Sequence, residues 1–127
     1  MPAVIEVPGS FELVVGCLSA ARTGRFEGVV ALGCIIRGET HHDRVIADAV
    51  ATGLVQVSLA TGVPVGFGVL TVDSARQARA RAGGAKGNKG AEAMAAVLDT
   101  IRSLRALRDG APAALPARAD KTRGNGR

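Results

Sequence analysis

Val29-Val30-Ala31-Leu32-Gly33-Cys34-Ile35-Ile36 is an eight-residue apolar run without polar alternation. It decides the fold class. A strand with one wet face alternates, whereas an unbroken apolar run reads as a strand buried on both faces, as in a parallel sheet. Behind it come Arg37-Gly38-Glu39-Thr40-His41-His42, a polar turn. Thr40 can cap a helix whose apolar stripe is Val45, Ile46, Ala49, Val50, Leu54 and Val57. Thr61-Gly62 ends it, and residues 63–71 form a second buried run. Strand, helix and strand in this order give a βαβ unit, hence an α/β domain with a parallel sheet and right-handed crossovers.

The same reading extends in both directions. Residues 3–7 are β-rich and end at Pro8-Gly9. Residues 11–21 read as a helix, apolar at 11, 14, 15, 18 and 21. Asp73 and Ser74 start a short helix, with Ser74 and Gln77 at capping-box spacing, and Gly83-Gly84 stops it. Asn88 caps a last helix with apolar Ala91, Met94, Ala95, Leu98, Ile101 and Leu104. Residues 1–107 therefore make one domain. Residues 108–127, rich in Ala, Pro, Gly and charge, are expected to be a disordered basic tail.

Composition narrows the function classes. The 127 residues fit one domain. Such a domain buries roughly two thirds of its unfolded surface and needs no disulfide staple. Hydrophobic residues make up 47 %, which excludes a wholly disordered chain. There is no Trp or Tyr, and Phe11, Phe26 and Phe67 are the only aromatics, too few for a base-stacking platform. The net charge of +5 invites a nucleic-acid reading, but residues 1–101 hold nine basic and nine acidic side chains. The excess sits in residues 102–127, so the body is neutral and nucleic acid is not an expected partner. A contact arm for nucleic acid is the one such role the tail leaves open.

Cys17 and Cys34 lack CxxC or zinc spacing and read as reduced, partly buried thiols of a cytoplasmic protein. Residues 2–7 carry no basic n-region, so no signal peptide is expected. Residues 49–72 run uncharged for 24 positions, enough to cross a bilayer. Gly53, Gly62, Gly66, Gly68, Pro64 and Gln56 within them fit a helix and a buried strand better. No membrane partner is expected.

In an open parallel sheet, ligands bind beyond the carboxyl ends of the strands. Gly38-Glu39-Thr40 lies there. Its backbone N–H groups and the following helix dipole can hold a phosphate, although an ordinary βα loop capped by Thr40 accounts for the same residues. His41 and His42 are the only histidines. Two adjacent histidines cannot both face one site, so at most one moves protons in catalysis. A metal would need more ligands, and none is expected. Arg81, Lys86 and Lys89 surround a glycine-rich stretch, Arg81-Ala82-Gly83-Gly84-Ala85-Lys86-Gly87-Asn88-Lys89-Gly90. They suit an anionic substrate, and equally a solvated loop. Glu12 at a helix start is favourable with the dipole whether or not it binds a ligand.

Four segments in order, VPGSFEL, ALGCIIRGETHH, TGVPVGFGVLT and RAGGAKGNKGAEA, resemble the 6,7-dimethyl-8-ribityllumazine synthase family. The resemblance runs through nearly all of residues 4–104. It implies a flavodoxin-like three-layer α/β/α sandwich, and condensation of 5-amino-6-ribitylamino-uracil with 3,4-dihydroxy-2-butanone 4-phosphate in riboflavin biosynthesis, with no metal or organic cofactor. By the same resemblance His42 is the proton-transfer histidine, and Arg81 grips the substrate phosphate with Glu39 and Thr40. Ser10, Phe11 and Glu12 bind the ribityl chain and ring, while Cys34, Ile35 and Ile36 contact the pyrimidine. Phe67 and Lys89 come from a neighbouring subunit. Implied partners are further copies, as a homopentamer or a 60-subunit shell, and riboflavin synthase.

The chain also departs from the family. Members carry a further βα unit ahead of residues 3–7, with an aromatic residue that stacks on the pyrimidine. Here the chain reads as truncated before it, which would leave residues 3–7 without a strand partner. Ala85 stands at the usual loop lysine, with Lys86 beside it. Asp43-Arg44 replaces an aromatic-Asp pair. The alternative function is therefore a non-catalytic ligand-binding or assembly protein of the same family.

Overall fold

The computed structural model describes residues 2–38 and 42–110. The expected Thr40 cap and the tail beyond residue 110 lie outside them. Among the described residues the order is a 3-10 turn (Ser10–Glu12), α1 (Leu13–Arg22), β1 (Val29–Ile36), α2 (His42–Thr61), β2 (Val65–Val72), α3 (Ala75–Arg81), β3 (Ala82–Gly84), β4 (Gly87–Asn88) and α4 (Lys89–Arg108).

The β1 run forms the strand expected of it. It pairs in parallel with β2 along its whole length, from Val29 opposite Val65 to Ile36 opposite Val72. The pair is extended at both ends by backbone bonds, Val29 N–H to Pro64 O (3.0 Å) and Arg37 N–H to Val72 O (2.7 Å). Pleating sends alternate residues to opposite faces. Ala31, Ile35 and Val69 face α1 and α2, where they join Cys17, Ala21, Val50, Leu54 and Val57 in the main core. On the other face α4 lies against β2 and the start of β1, so the chain is layered helix, sheet, helix.

That second contact is set by glycine. A Cβ at Gly66 would stand 2.7 Å from Val97 Cγ2 and 2.9 Å from the Ala93 carbonyl oxygen, and one at Gly28 would meet Val97 and Ile101. Missing side chains in the strands let the helix backbone approach, and they select Ala93, Val97 and Ile101 as the inward face. This corrects the expected stripe: Ala93 and Val97 are buried, whereas Met94, Leu98 and Leu104 are exposed. Apolar periodicity marked the bulkier residues, but the glycine-lined strand accepts the smaller ones. In α1 most of the expected stripe holds, with Val14 and Leu18 packed against the core. Cys17 and Ala21 are buried, while Phe11 and Val15 are exposed.

Helix ends follow the expected chemistry. Gly62, at φ 74°, ends α2. Ser74 Oγ accepts from the Gln77 N–H at 3.2 Å. Asn88 Oδ1 accepts from the Ala91 N–H at 3.0 Å. The glycine-rich stretch is not a plain loop. It folds into a small antiparallel β3–β4 hairpin, with Gly83 and Gly87 at φ 111° and 96°, angles that side chains rarely tolerate.

Residues 3–7 are in no strand. Val7 packs on α1, its Cγ1 lying 3.1 Å from where a Cβ on Gly16 would be. Val4 and Ile5 are 89 % and 64 % exposed. The β1 edge opposite β2 has no partner strand among the described residues. One helix among them, α2, is long and apolar enough to cross a membrane, and its Val50, Leu54 and Val57 pack into the core.

Candidate active site at the carboxyl ends of β1 and β2

Several expected site residues gather at one end of the sheet. A parallel pair brings both carboxyl ends to the same edge, and the segments leaving them must turn there. Ile36 and Val72 end β1 and β2 side by side. His42 opens α2, and Ser74 caps α3, at that same end.

Ser10, Phe11 and Glu12 form the 3-10 turn ahead of α1. Ser10 Oγ lies 3.0 Å from where a Cβ on Gly33 would stand, with Leu13 Cδ1 at 3.1 Å. Gly33 thus lets the turn close directly over β1, on the face that carries Ile35 and opposite to Cys34. The strand end itself splits by face. Ile35 is buried in the core against α1 and α2, so only its main chain can meet a ligand. Cys34 and Ile36 project from the other face and are exposed. This corrects the expectation that both thiols are partly buried. Cys17 is the buried one, and burial pushes its thiol pKa up.

His42 is the first residue of α2. Glu39, Thr40 and His41 lie outside the described residues. Arg81 ends α3, and Lys89 begins α4 beside Glu92, 3.5 Å from its carboxylate. The position of α4 along the sheet is fixed by its contacts. Gly90 lies at the level of Leu32, halfway up β1, and Ile101 at the level of Gly28. Lys89 therefore stands on the upper half of the sheet, toward the carboxyl ends.

Phe67 does not join this group within one chain. It is half exposed and lines a groove of about 450 Å³ on the outer edge of β2, with Ser58, Val63, Val97 and Thr100. Ser58 and Val63 lie near and just past the end of α2, and Val97 and Thr100 in the middle of α4, away from His42.

One pair was not flagged from the sequence. Arg37 Nη1 and Asp73 Oδ1 are 2.9 Å apart and bridge the ends of β1 and β2. The residues are 36 positions apart, so no local pattern links them. The signal that could have found them is the parallel register, which puts the residue after each strand side by side. Among the described residues no group of His, Cys, Asp and Glu could hold a metal ion.

The arrangement offers an imidazole at the start of α2, hydroxyl and carboxylate groups on the 3-10 turn, and cations on α3 and α4. That combination suits an anionic, polyhydroxylated ligand. The 6,7-dimethyl-8-ribityllumazine synthase family profile matches residues 2–105. Curated proteins of that name are similar to the chain. The one from Pseudarthrobacter chlorophenolicus is 55 % identical over 83 residues, covering 65 % of this chain and 50 % of the relative. The one from Kineococcus radiotolerans is 54 % identical over 79 residues, covering 62 % and 48 %. The one from Nitratidesulfovibrio vulgaris is 48 % identical over 80 residues, covering 63 % and 51 %. The chain spans about half the length of the curated relatives it matches. A profile match across most of its residues, on an α/β fold with the expected parallel pair, makes the chain a member of the 6,7-dimethyl-8-ribityllumazine synthase family.

Proposed function

We propose that the chain acts in riboflavin biosynthesis, in the condensation of 5-amino-6-ribitylamino-uracil with 3,4-dihydroxy-2-butanone 4-phosphate. The observation that carries this reading is the family match over residues 2–105, on a fold in which α2 opens at His42 after the carboxyl end of β1 and Ser10 packs over Gly33 of that strand. In the reaction the pyrimidine amine adds to the butanone carbonyl and water leaves. Phosphate is then expelled, and ring closure loses a second water. Each step moves protons, a task suited to His42 at the mouth of α2. Arg81, with Glu39 and Thr40 from the turn after β1, holds the phosphate. Ser10, Phe11 and Glu12 hold the ribityl chain and ring. Cys34, Ile36 and the Ile35 backbone line the pyrimidine side.

Phe67 and Lys89 complete a neighbouring copy's site in this reading. The outward position of Phe67 on the β2 edge supports that role. The assembly is then a homopentamer or a 60-subunit shell, in the cytoplasm, with riboflavin synthase as the consumer of the product. A second reading, ligand binding without turnover, is favoured by residues 3–7 lying in no strand and by the β1 edge having no partner strand among the described residues. Mixing the purified chain with both substrates separates the two. The first predicts lumazine fluorescence above the uncatalysed background, and the second predicts saturable binding with no rate above that background.

A further inference from the structure

Helix α3 carries Arg81, yet none of its residues is buried. Gln77, Ala78, Ala80 and Arg81 are half-buried, so apolar packing alone holds it loosely. At its far end the Lys86 N–H donates to the Ala80 carbonyl at 2.8 Å, which joins α3 to the β3–β4 hairpin. The hairpin then runs into α4 at the Asn88 cap. At its near end a chain of polar contacts leads to the sheet. Arg37 Nη1 pairs with Asp73 Oδ1 at 2.9 Å. The Asp73 N–H donates to Gln77 Oε1 at 2.7 Å, and the Gln77 N–H donates to Ser74 Oγ at 3.2 Å. Arg37 is itself anchored, because its backbone N–H donates to the Val72 carbonyl.

We propose that Arg37, through Asp73 and Gln77, is a positioning residue that sets where α3 stands on the sheet and so where Arg81 meets a phosphate. Its significance for turnover rests on the function proposed above. The arrangement of α3 is a property of the chain itself. An exposed ion pair contributes little to global stability, so this one acts on placement. The molecule supplies its own control. Glu27 and Arg105 form a pair of the same kind before β1, at the opposite end of the sheet, with the Nε–Oε2 contact at 2.9 Å. Arg105 and Glu27 are 54 % and 58 % exposed, against 53 % and 60 % for Arg37 and Asp73.

The test compares the full chain with Arg37→Ala, Arg37→Lys, the exchange Arg37→Asp with Asp73→Arg, and Glu27→Ala. Hydrogen exchange reads the α3 amides, and titration with 3,4-dihydroxy-2-butanone 4-phosphate reads binding. Arg37→Ala is expected to speed α3 exchange by about fivefold and weaken binding by a similar factor, with the melting temperature close to that of Glu27→Ala. The lysine variant and the charge exchange are expected to restore most of both. Unchanged α3 exchange in Arg37→Ala, or an equal change in Glu27→Ala, overturns the proposal whether or not the phosphate ester binds. Absence of ester binding by the unaltered chain, with the expected exchange pattern, upholds the strap and refutes the function reading instead.

Discussion

Adding one methyl group at Gly66 tests the packing that carries α4. The new Cβ would stand 2.7 Å from Val97 Cγ2, 2.9 Å from the Ala93 oxygen and 3.4 Å from the Ala93 carbonyl carbon. Val97 could give way at some cost, but its χ1 is stiff. The Ala93 contacts are helix backbone, so relief requires the whole helix to lift from β2. Overpacking of this kind costs about 1–3 kcal/mol. For a domain of this size that lowers the melting temperature by roughly 5–15 °C. Gly38→Ala is the control, because nothing lies within 4 Å of its added Cβ, and it should melt within about 2 °C of the unaltered chain. Thermal unfolding followed by circular dichroism reads both. A Gly66→Ala variant that melts with the control would refute the claim that strand glycines set the distance and register of α4.

Further outcomes follow from single groups. Asn88→Ala removes the side-chain acceptor of the Ala91 N–H and should cost about 1 kcal/mol in denaturant unfolding. A thiol reagent should modify Cys34 in the native chain and reach Cys17 only on unfolding, since Cys34 is exposed and Cys17 buried. The raised Cys17 pKa has a pH signature. Above the ordinary thiol value of 9.0 the unfolded chain loses this proton first, so stability should fall as pH rises past that value, and Cys17→Ala should remove this part of the slope. Under the proposed function, Arg81→Ala should weaken binding of the phosphate ester much more than binding of the pyrimidine, as titration calorimetry would read.

The βαβ unit was legible because its signals are local. The unbroken β1 run, the Gly62 stop and the Ser74 and Asn88 caps each depend on a few neighbouring residues, and each appears where expected. The buried face of α4 was less legible, because a helix chooses its inward side by what it meets. For α4 that is a glycine surface contributed by residues about 30 and 70 positions away. The β3–β4 hairpin was hidden for a related reason. Its residues, Ala and Gly, have little strand propensity, and positive-φ glycines form it. Of the candidate site, the sequence motifs identify residue types, while the packing of Ser10 over Gly33 and the division of Ile35 and Cys34 between the two sheet faces need the fold. The Arg37–Asp73 bridge needs that register before it can be seen at all.

Residues 3–7 connect fold and function. They carry β-forming side chains, yet they lie in no strand, with Val7 packed on α1, while the β1 edge has no partner strand among the described residues. Unsatisfied backbone groups along such an edge favour further strand pairing. The candidate site lies at the carboxyl end of the same strand, and this makes turnover the decisive quantity.

The most direct measurement is the rate of lumazine formation by the purified chain from both substrates, followed by product fluorescence and repeated with His42→Ala. The account predicts saturable turnover that falls by about 10²–10⁴-fold in His42→Ala, with pyrimidine binding retained. No rate above the uncatalysed background, or an equal rate in the variant, would contradict it.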